Sequence, residues 1–462
     1  MWGIRVMEDI AVVVMAAGKG KRMKSDYPKV LHHLAGKPIL SYILDIVNQI
    51  HPKRKLLIVG YQSEKVKELF QNQVEYVNQE KQLGTAHAVL QTRKKLEHFK
   101  GQILVLSGDT PFLKAQSLKR LLRQHCRKGN DCTLYSAIVK NPSGYGRIIR
   151  NQEDRILGII EEADLPQDMK GIQEINAGIY CFRADALYRS LNKIVPDNQQ
   201  KEYYLTDVVK ILLAEGGKVE SIILDDPEEA SGINTRLELA ETAYRIYQRI
   251  SQKLMQQGVS ILDPNHTYIE EGVKIGADTV IYPGTIIQGD THIGSDCFIG
   301  PYTQIINSKI GKRVRVWASV VEESIIEDEV QIGPYAHLRP GNRIKKRVKI
   351  GNFVEVKKSM IGEGSKASHL TYLGDALIGK RVNIGAGTIT CNYDGVKKNQ
   401  TIIEDEAFIG SNNALVAPVK IGKKAYTGAG STITTEVPPQ SLGIARSPQR
   451  NIIGWKKRKK KD

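Results

Sequence analysis

Cysteine is scarce in this chain: Cys126, Cys132, Cys181, Cys297 and Cys391 are the only five, and no two form a CxxC pair. So odd and scattered a set excludes a disulfide framework and a zinc cluster, and it fits a reducing cytoplasm. Aromatic residues make up only 6%. Long apolar runs are missing too. The longest near the start, Ile10 to Ala17, has eight residues, against the ~18 that a membrane span needs. Neither a membrane anchor nor a signal sequence is therefore expected.

What is present fits a soluble globular protein: 41% hydrophobic residues, 25% charged residues and 41 glycines in 462 residues, a length that implies two or three domains. The formal charge is +17, of which the last seven residues, Lys456 to Asp462, supply +5 from six bases and one acid. The remaining +12 is compatible with nucleic acid, an acidic membrane surface or small anionic substrates. No nucleic-acid motif accompanies it, so the tail reads as a solvated end and no nucleic-acid partner is expected.

Residues 10 to 232 alternate β-branched runs with helical stretches, the pattern of an α/β domain with a mostly parallel sheet. The predicted strands are Ile10 to Met15, Leu56 to Val59, Val74 to Val77, Ile103 to Leu106, Thr133 to Val139 and Ile175 to Phe182. From Arg236 to Gln257 glycine and proline vanish, and Ala240, Ala243, Tyr244, Tyr247 and Leu254 follow helical spacing. One long amphipathic helix is predicted there, stopped by Gly258.

Beyond Asn265 Ile-Gly pairs recur, beginning at Ile275, Ile293, Ile299, Ile310, Ile332, Ile350, Ile361, Ile378, Ile384, Ile409 and Ile421. Several of the steps are 18, 6 or 12 residues. A period of six suits a β-helix, with one aliphatic residue per face pointing inward and a small residue at the corner. At about 18 residues per coil and about 4.8 Å between strands, roughly nine coils about 45 Å tall are expected. Hexapeptide repeats resemble left-handed parallel β-helices, a hand opposite to the general crossover rule. The expected organisation is 1–235, an α/β domain; 236–258, a linker helix; and 259–462, the β-helix with its basic tail.

The sharpest motif is MAAGKGKRM, Met15 to Met23, at the end of the first strand, followed by Tyr27-Pro28-Lys29. Gly18 and Gly20 allow close backbone approach to a phosphate, and Arg22 and Lys29 supply positive charge. Two familiar loops are excluded: GxGxxG needs glycine where Met23 stands, and a P-loop needs a GK followed by Ser or Thr. A glycine-rich turn after a strand is often only a turn, so the motif does not decide by itself.

The run resembles the opening of sugar nucleotidyltransferases, in which AAGxGxRM and a downstream Pro-Lys bind a nucleoside triphosphate. Gln79, Gln82-Leu83-Gly84-Thr85, Gly108-Asp109, Gly144-Tyr145-Gly146-Arg147, Glu161, Asn176-Ala177-Gly178 and Asn234 follow in the family's order. Lys21 departs from it, where threonine is usual, and so does Ser107, where some members have tyrosine. The resemblance implies a Rossmann-like nucleotidyltransferase domain that binds UTP and its sugar-nucleotide product through Met15, Ala16, Ala17, Gly18, Arg22, Lys29, Gln79, Gly84, Thr85, Gly146, Glu161, Asn176 and Asn234. Gln79 and the Gly84 backbone would read uracil, and Glu161 and Asn176 the sugar. Asp109 ends a buried strand at the carboxyl edge of the sheet, where such folds bind ligands. With Asn234 it is the implied Mg²⁺ site, magnesium being a hard cation that prefers oxygen.

In the second half, Arg339-Pro340-Gly341, NFVEVKK (Asn352 to Lys358), SHLTYLGD (Ser368 to Asp375) and NIGAGTITCNYDG (Asn383 to Gly395) interrupt the repeat. They resemble the acetyltransferase half of the bacterial bifunctional N-acetylglucosamine-1-phosphate uridyltransferase/glucosamine-1-phosphate acetyltransferases, and with the first half the resemblance spans about residues 10 to 450. It implies His369 as general base, a role suited to the histidine titration range. It further implies Arg339, Lys357, Tyr372 and Asn383 on the sugar phosphate, and Ala386, Asn392, Tyr393, Ser411, Ala429 and Arg446 on acetyl-CoA. Also implied are a homotrimer, a cytoplasmic location and a role in bacterial envelope synthesis. A monofunctional nucleotidyltransferase with a purely structural β-helix, and a non-catalytic scaffold of similar architecture, are the alternatives. His369 with Asn392-Tyr393 argues against the first, and Lys29, Asp109 and Asn234 together argue against the second.

Overall fold

A computed structural model describes residues 9–455, so the basic tail from Lys456 lies outside the described residues. The chain divides into two compact units, Met1–Ala243 and Tyr244–Asp462.

The first unit is built on a sheet whose order is Val219–Ile223, Cys132–Ile138, Glu174–Arg183, Gln102–Ser107, Ile10–Met15, Arg54–Val59 and Glu75–Asn78. Successive residues of its central strands enter opposite cores, because side chains alternate along a strand. Val12, Val14, Leu104 and Leu106 join one core, with Leu40, Ile43 and Val47 of the helix Ile39–Gln49. Ala11, Val13, Ile103 and Val105 join the other, with Leu187 of Ala184–Leu191 and Val208 and Leu212 of Asp207–Ala214. Both faces are thus covered by helices. The sheet is less parallel than its sequence implies: Glu174–Arg183 runs antiparallel to both neighbours. The connection leading into it holds the antiparallel pair Arg147–Arg150 and Ile156–Ile160 instead of the crossover helix that a parallel return needs.

The long helix runs Arg236–Gln256. A capping box opens it: Thr235 Oγ1 accepts the Glu238 N–H at 3.1 Å while Glu238 Oε2 accepts the Thr235 N–H at 3.0 Å. Gly258, at φ +92°, follows its end. The buried face matches the predicted one in part. Leu254 is buried and Ala243 and Tyr247 are half-buried, but Ala240 and Tyr244 are exposed, and Thr242, Ile246 and Ser251 are buried instead.

The second unit is a left-handed parallel β-helix. One face stacks nine strands among the described residues, in register at Ile275, Ile293, Ile310, Ile326, Ile344, Ile361, Ile378, Ile403 and Ile421. All nine isoleucines are buried. Ile299, Ile332, Ile350, Ile384 and Ile409 fall in a second inward column. The Ile-Gly pairs therefore mark two of the three inward columns. Leu254 and Val259 join the core at the N-terminal end. At the other end Val437 bridges Ile421, and Leu442–Gly443 pairs with Tyr426–Thr427.

Candidate active sites

In the first unit, the Ala16 N–H donates to Ile58 O and the Gly108 N–H to Met15 O, both at 2.9 Å, which fixes the loop after the first strand to its two neighbours. The chain then turns at Gly20, φ +60°, where a Cβ would lie 2.8 Å from the Lys29 Cβ. Glycine here lets the loop close against Lys29. Met23 is buried and anchors the short turn Lys21–Met23. The result is a cavity of about 840 Å³ at the carboxyl ends of the strands, lined by Met15, Ala16, Ala17, Gly18, Arg22, Lys29, Gln79, Gly84, Thr85, Asp109 and Asn234. Eleven sequence-predicted positions thus meet in one space. Gln200 and Glu202 line it as well. They sit in an irregular loop, clasped by Asn198 bonds to the Glu202 backbone, and no periodic signal announces them.

The Lys29 ammonium forms an ion pair with Asp109 Oδ2 and lies 3.1 Å from Asn234 Oδ1. Two side-chain oxygens therefore converge on one cation. No group of three His, Cys, Asp or Glu side chains suited to a metal occurs among the described residues. A pair of oxygens with open positions suits a magnesium ion that keeps water and takes phosphate oxygens, so the residues fit the group.

Gln79 is buried and its amide donates to Gly84 O at 3.1 Å. The Gln79 side-chain oxygen Oε1 and the Gly84 N–H then have no protein partner among the described residues. Gly84, at φ +113°, presses against the Tyr203 backbone, where a Cβ would come within 2.7 Å of Tyr203 N. The Thr85 hydroxyl accepts the Leu205 N–H at 3.0 Å.

Gly146, Glu161 and Asn176 form a group apart from the residues lining the cavity. The Asn176 N–H donates to Gly146 O at 2.9 Å, and a Cβ on Gly146 would lie 3.3 Å from Glu161 Oε2. A bulge between Asn176 and Tyr180 shapes the strand here. Thr206 donates to Glu161 Oε1 at 3.0 Å, and burial pushes the Glu161 carboxyl above its ordinary range.

In the second unit one corner of the prism is decisive. Asn352 pairs in register with His369, the Gly387 N–H donates to Leu370 O at 3.0 Å, Asn412 N–H to Ala386 O at 2.7 Å, and Gly430 N–H to Ser411 O at 2.8 Å. His369, Ala386, Ser411 and Ala429 therefore follow one another down a single edge. Above His369 the same edge carries Tyr302, Tyr335 and Phe353; below it the side chains are small. That change of size leaves room for a slender ligand beside the imidazole, which is exposed. The Ala445 N–H donates to Ser431 Oγ at 3.2 Å, which brings Arg446 next to the foot of this edge.

On the adjoining face Arg339 pairs with Glu355 at 3.0 Å, and Glu355 is in register with Tyr372. The neighbouring Lys398 ammonium, with smaller contributions from Arg339 and Lys358, holds Lys357 below the ordinary lysine value. This concentration of cations suits a phosphate dianion. Lys358 and Lys398 were not predicted; only the Lys397-Lys398 doublet signals the latter. The coil from Leu377 to Ile402 spans 25 residues, against 18 for the next. The excess is the loop bearing Asn392 and Tyr393. Asn392 donates to Asp375 Oδ2 at 2.6 Å, and its Nδ2 would lie 2.7 Å from a Cβ on Gly374. Asn383 stands elsewhere, paired with Lys366 and Phe408 on the face before the His369 corner.

Comparison with known proteins bears on both units. A Nucleotidyl transferase model matches residues 11–227, and a model of the Hexapeptide repeat of succinyl-transferase matches residues 400–435. The chain is 49% identical to the Bifunctional protein GlmU of Carboxydothermus hydrogenoformans, covering 95% of this chain and 98% of the relative. It is 50% identical to that of Thermosipho africanus, covering 97% of each. The chain belongs to the bifunctional GlmU family. The Listeria monocytogenes GlmU is 46% identical over 96% of this chain and 97% of its own. Membership makes the chain a transferase with two activities, uridylyl transfer and acetyl transfer, and places it in cell-wall synthesis. The GlmU nucleotidyltransferases use a divalent metal.

Proposed function

We propose that this GlmU-family protein makes UDP-N-acetylglucosamine in two steps: acetyl-CoA acetylates glucosamine 1-phosphate in the β-helix, and UTP then couples with the product in the α/β unit. The observation carrying the reading is the convergence of the predicted nucleotide residues on one cavity that also holds Lys29, Asp109 and Asn234.

The attacking phosphate of N-acetylglucosamine 1-phosphate is anionic at neutral pH and needs no general base. The chain's task is to offset charge and hold an in-line approach. Arg22 and the loop amides grip the triphosphate, and the flexible Lys29 stem lets its ammonium follow the charge that builds up on the α-phosphate. Mg²⁺, held by Asp109 and Asn234, would supply further charge neutralisation. The Gln79 side-chain oxygen and the Gly84 N–H bind the uracil edge; Gly146, Glu161 and Asn176 hold the sugar. In the second unit Arg339 and Lys357 bind the sugar phosphate, Tyr372 orients the sugar, and His369 takes the proton from the amine as it attacks the thioester. Ala386, Ser411, Ala429 and Arg446 line the path of the coenzyme, and Asn392 and Tyr393 stand beside the reacting amine.

A homotrimer is supported by the exposed apolar edge above His369, and a cytoplasmic location by five free cysteines and by the lack of a membrane-spanning helix among the described residues. The reading is tested by incubating purified protein with glucosamine 1-phosphate, acetyl-CoA, UTP and Mg²⁺ and following each product. His369→Ala should abolish acetylation and spare uridylylation, and Asp109→Ala should do the reverse. Normal acetyl transfer in the first variant, or undiminished pyrophosphate release in the second, refutes the corresponding role.

A further inference from the structure

The phosphate loop carries a charge that the roles above do not use. Lys19, Lys21, Arg22 and Lys29 all line the cavity, against the two carboxylates of Asp109 and Glu202. Lys29 is engaged with Asp109. Lys19, Lys21 and Arg22 have no acidic partner among the described residues, although the chain is rich in ion pairs elsewhere.

Position separates Lys21 from Lys29. The side chains of Lys29 and Asp109 are 15% and 17% exposed, so they bracket the inner part of the cavity, whereas Lys21 is exposed at its rim. Lys21 is also held in place: it opens the turn Lys21–Met23, whose Met23 N–H donates to Gly20 O at 2.8 Å, and Met23 beneath it is buried. In a displacement at the α-phosphorus the leaving pyrophosphate carries off the most charge, and it must pass the rim to depart. An unpaired ammonium on a fixed turn at that rim is placed to hold it.

We propose that Lys21 is an additional ligand of the β,γ-phosphates, strengthening the hold on UTP and on pyrophosphate without touching the sugar. This rests on the reading of the cavity as the UTP site. Because the residue is exposed, the contact is screened by salt and modest in size.

The test is Lys21→Thr, with Lys21→Arg beside it, assayed in both directions on the full-length protein. In Lys21→Thr the KM for UTP and for pyrophosphate should rise about fivefold at low salt, the gap should narrow as salt is added, and Lys21→Arg should restore most of it. The KM values for N-acetylglucosamine 1-phosphate and UDP-N-acetylglucosamine should stay within twofold. Unchanged KM values for UTP and pyrophosphate, or an equal rise for all four substrates, overturn the proposal while wild-type turnover leaves the UTP reading standing. A wild-type protein with no pyrophosphate-dependent turnover overturns both.

Discussion

Burial lifts the Glu161 carboxyl above its usual range, and the hydrogen bond from Thr206 only partly opposes it. A raised carboxyl in the folded state means that the unfolded chain ionises first as pH climbs. Stability is therefore lost as pH rises through the unfolded value, near 4.5, toward the folded one, and the loss persists above it. Glu161→Gln keeps an oxygen for Thr206 and removes the buried charge. We expect it to raise the thermal midpoint of the α/β unit at pH 7 by a few degrees, corresponding to about 1 kcal/mol. The difference from wild type should vanish below about pH 4 in a calorimetric series. The same change should raise the KM for N-acetylglucosamine 1-phosphate about tenfold, since a carboxylate accepts sugar hydroxyls more strongly than a carboxamide. A variant both destabilised at neutral pH and normal in KM would contradict the assignment.

Among the elements, the loop inserted after Cys391 holds itself together around Asp394. Its carboxylate accepts the Lys397 N–H at 2.8 Å, the Val396 N–H at 2.9 Å and the Asn399 amide at 2.8 Å, which lowers its pKa to about 2. A lowered carboxyl contributes order above the unfolded value of 3.8 that is lost as pH falls toward 2. Asp394→Ala should therefore loosen the loop at every working pH, cutting acetyl-transfer kcat several-fold and leaving uridylyl transfer alone. Unaltered acetylation in both kcat and KM would separate the loop from the site. The loop is legible in the sequence because it breaks a six-residue rhythm, just as the Ile-Gly pairs are legible because two of the three inward columns are filled mostly by isoleucine. Most of the predicted strands are readable for the same reason, being buried on both sides; the edge strand Glu75–Asn78, with one buried residue, is the exception. Arg147–Arg150, Ile156–Ile160 and Val219–Ile223 are shorter or partly exposed, and their weaker apolar signal hides them. Gln200, Glu202 and Lys398 lie in loops whose conformation is set by contacts distant in sequence, such as the Gln199 N–H bond to Asp164, so no local pattern could disclose them.

At the scale of the whole molecule, the edges of the β-helix carry different chemistry. One edge is laced with ion pairs, Arg313 with Glu329 at 2.7 Å, Arg347 with Glu363, and Arg381 with Glu406 at 2.6 Å, as suits a surface that stays in water. The edge above His369 instead exposes Tyr302 by 78%, Tyr335 by 61%, Phe353 by 58% and Leu370 by 62%. Tyr335 and Phe353 stack with centroids 5.4 Å apart, forming a continuous apolar strip of the kind that marks an interface. A neighbouring copy seated on the strip would also wall the exposed imidazole from water, so assembly and acetyl transfer should fail together. Tyr335→Arg with Phe353→Arg places two charges where the partner would desolvate them, at a cost of several kcal/mol per interface, without disturbing the buried core of the coil. Sedimentation should then show a trimer for the wild type and monomers for the variant, with acetyl transfer reduced at least tenfold and uridylyl transfer within twofold of normal. If the wild type sediments as a monomer, or the variant loses acetyl transfer while remaining a trimer, the strip is not the surface that completes the site.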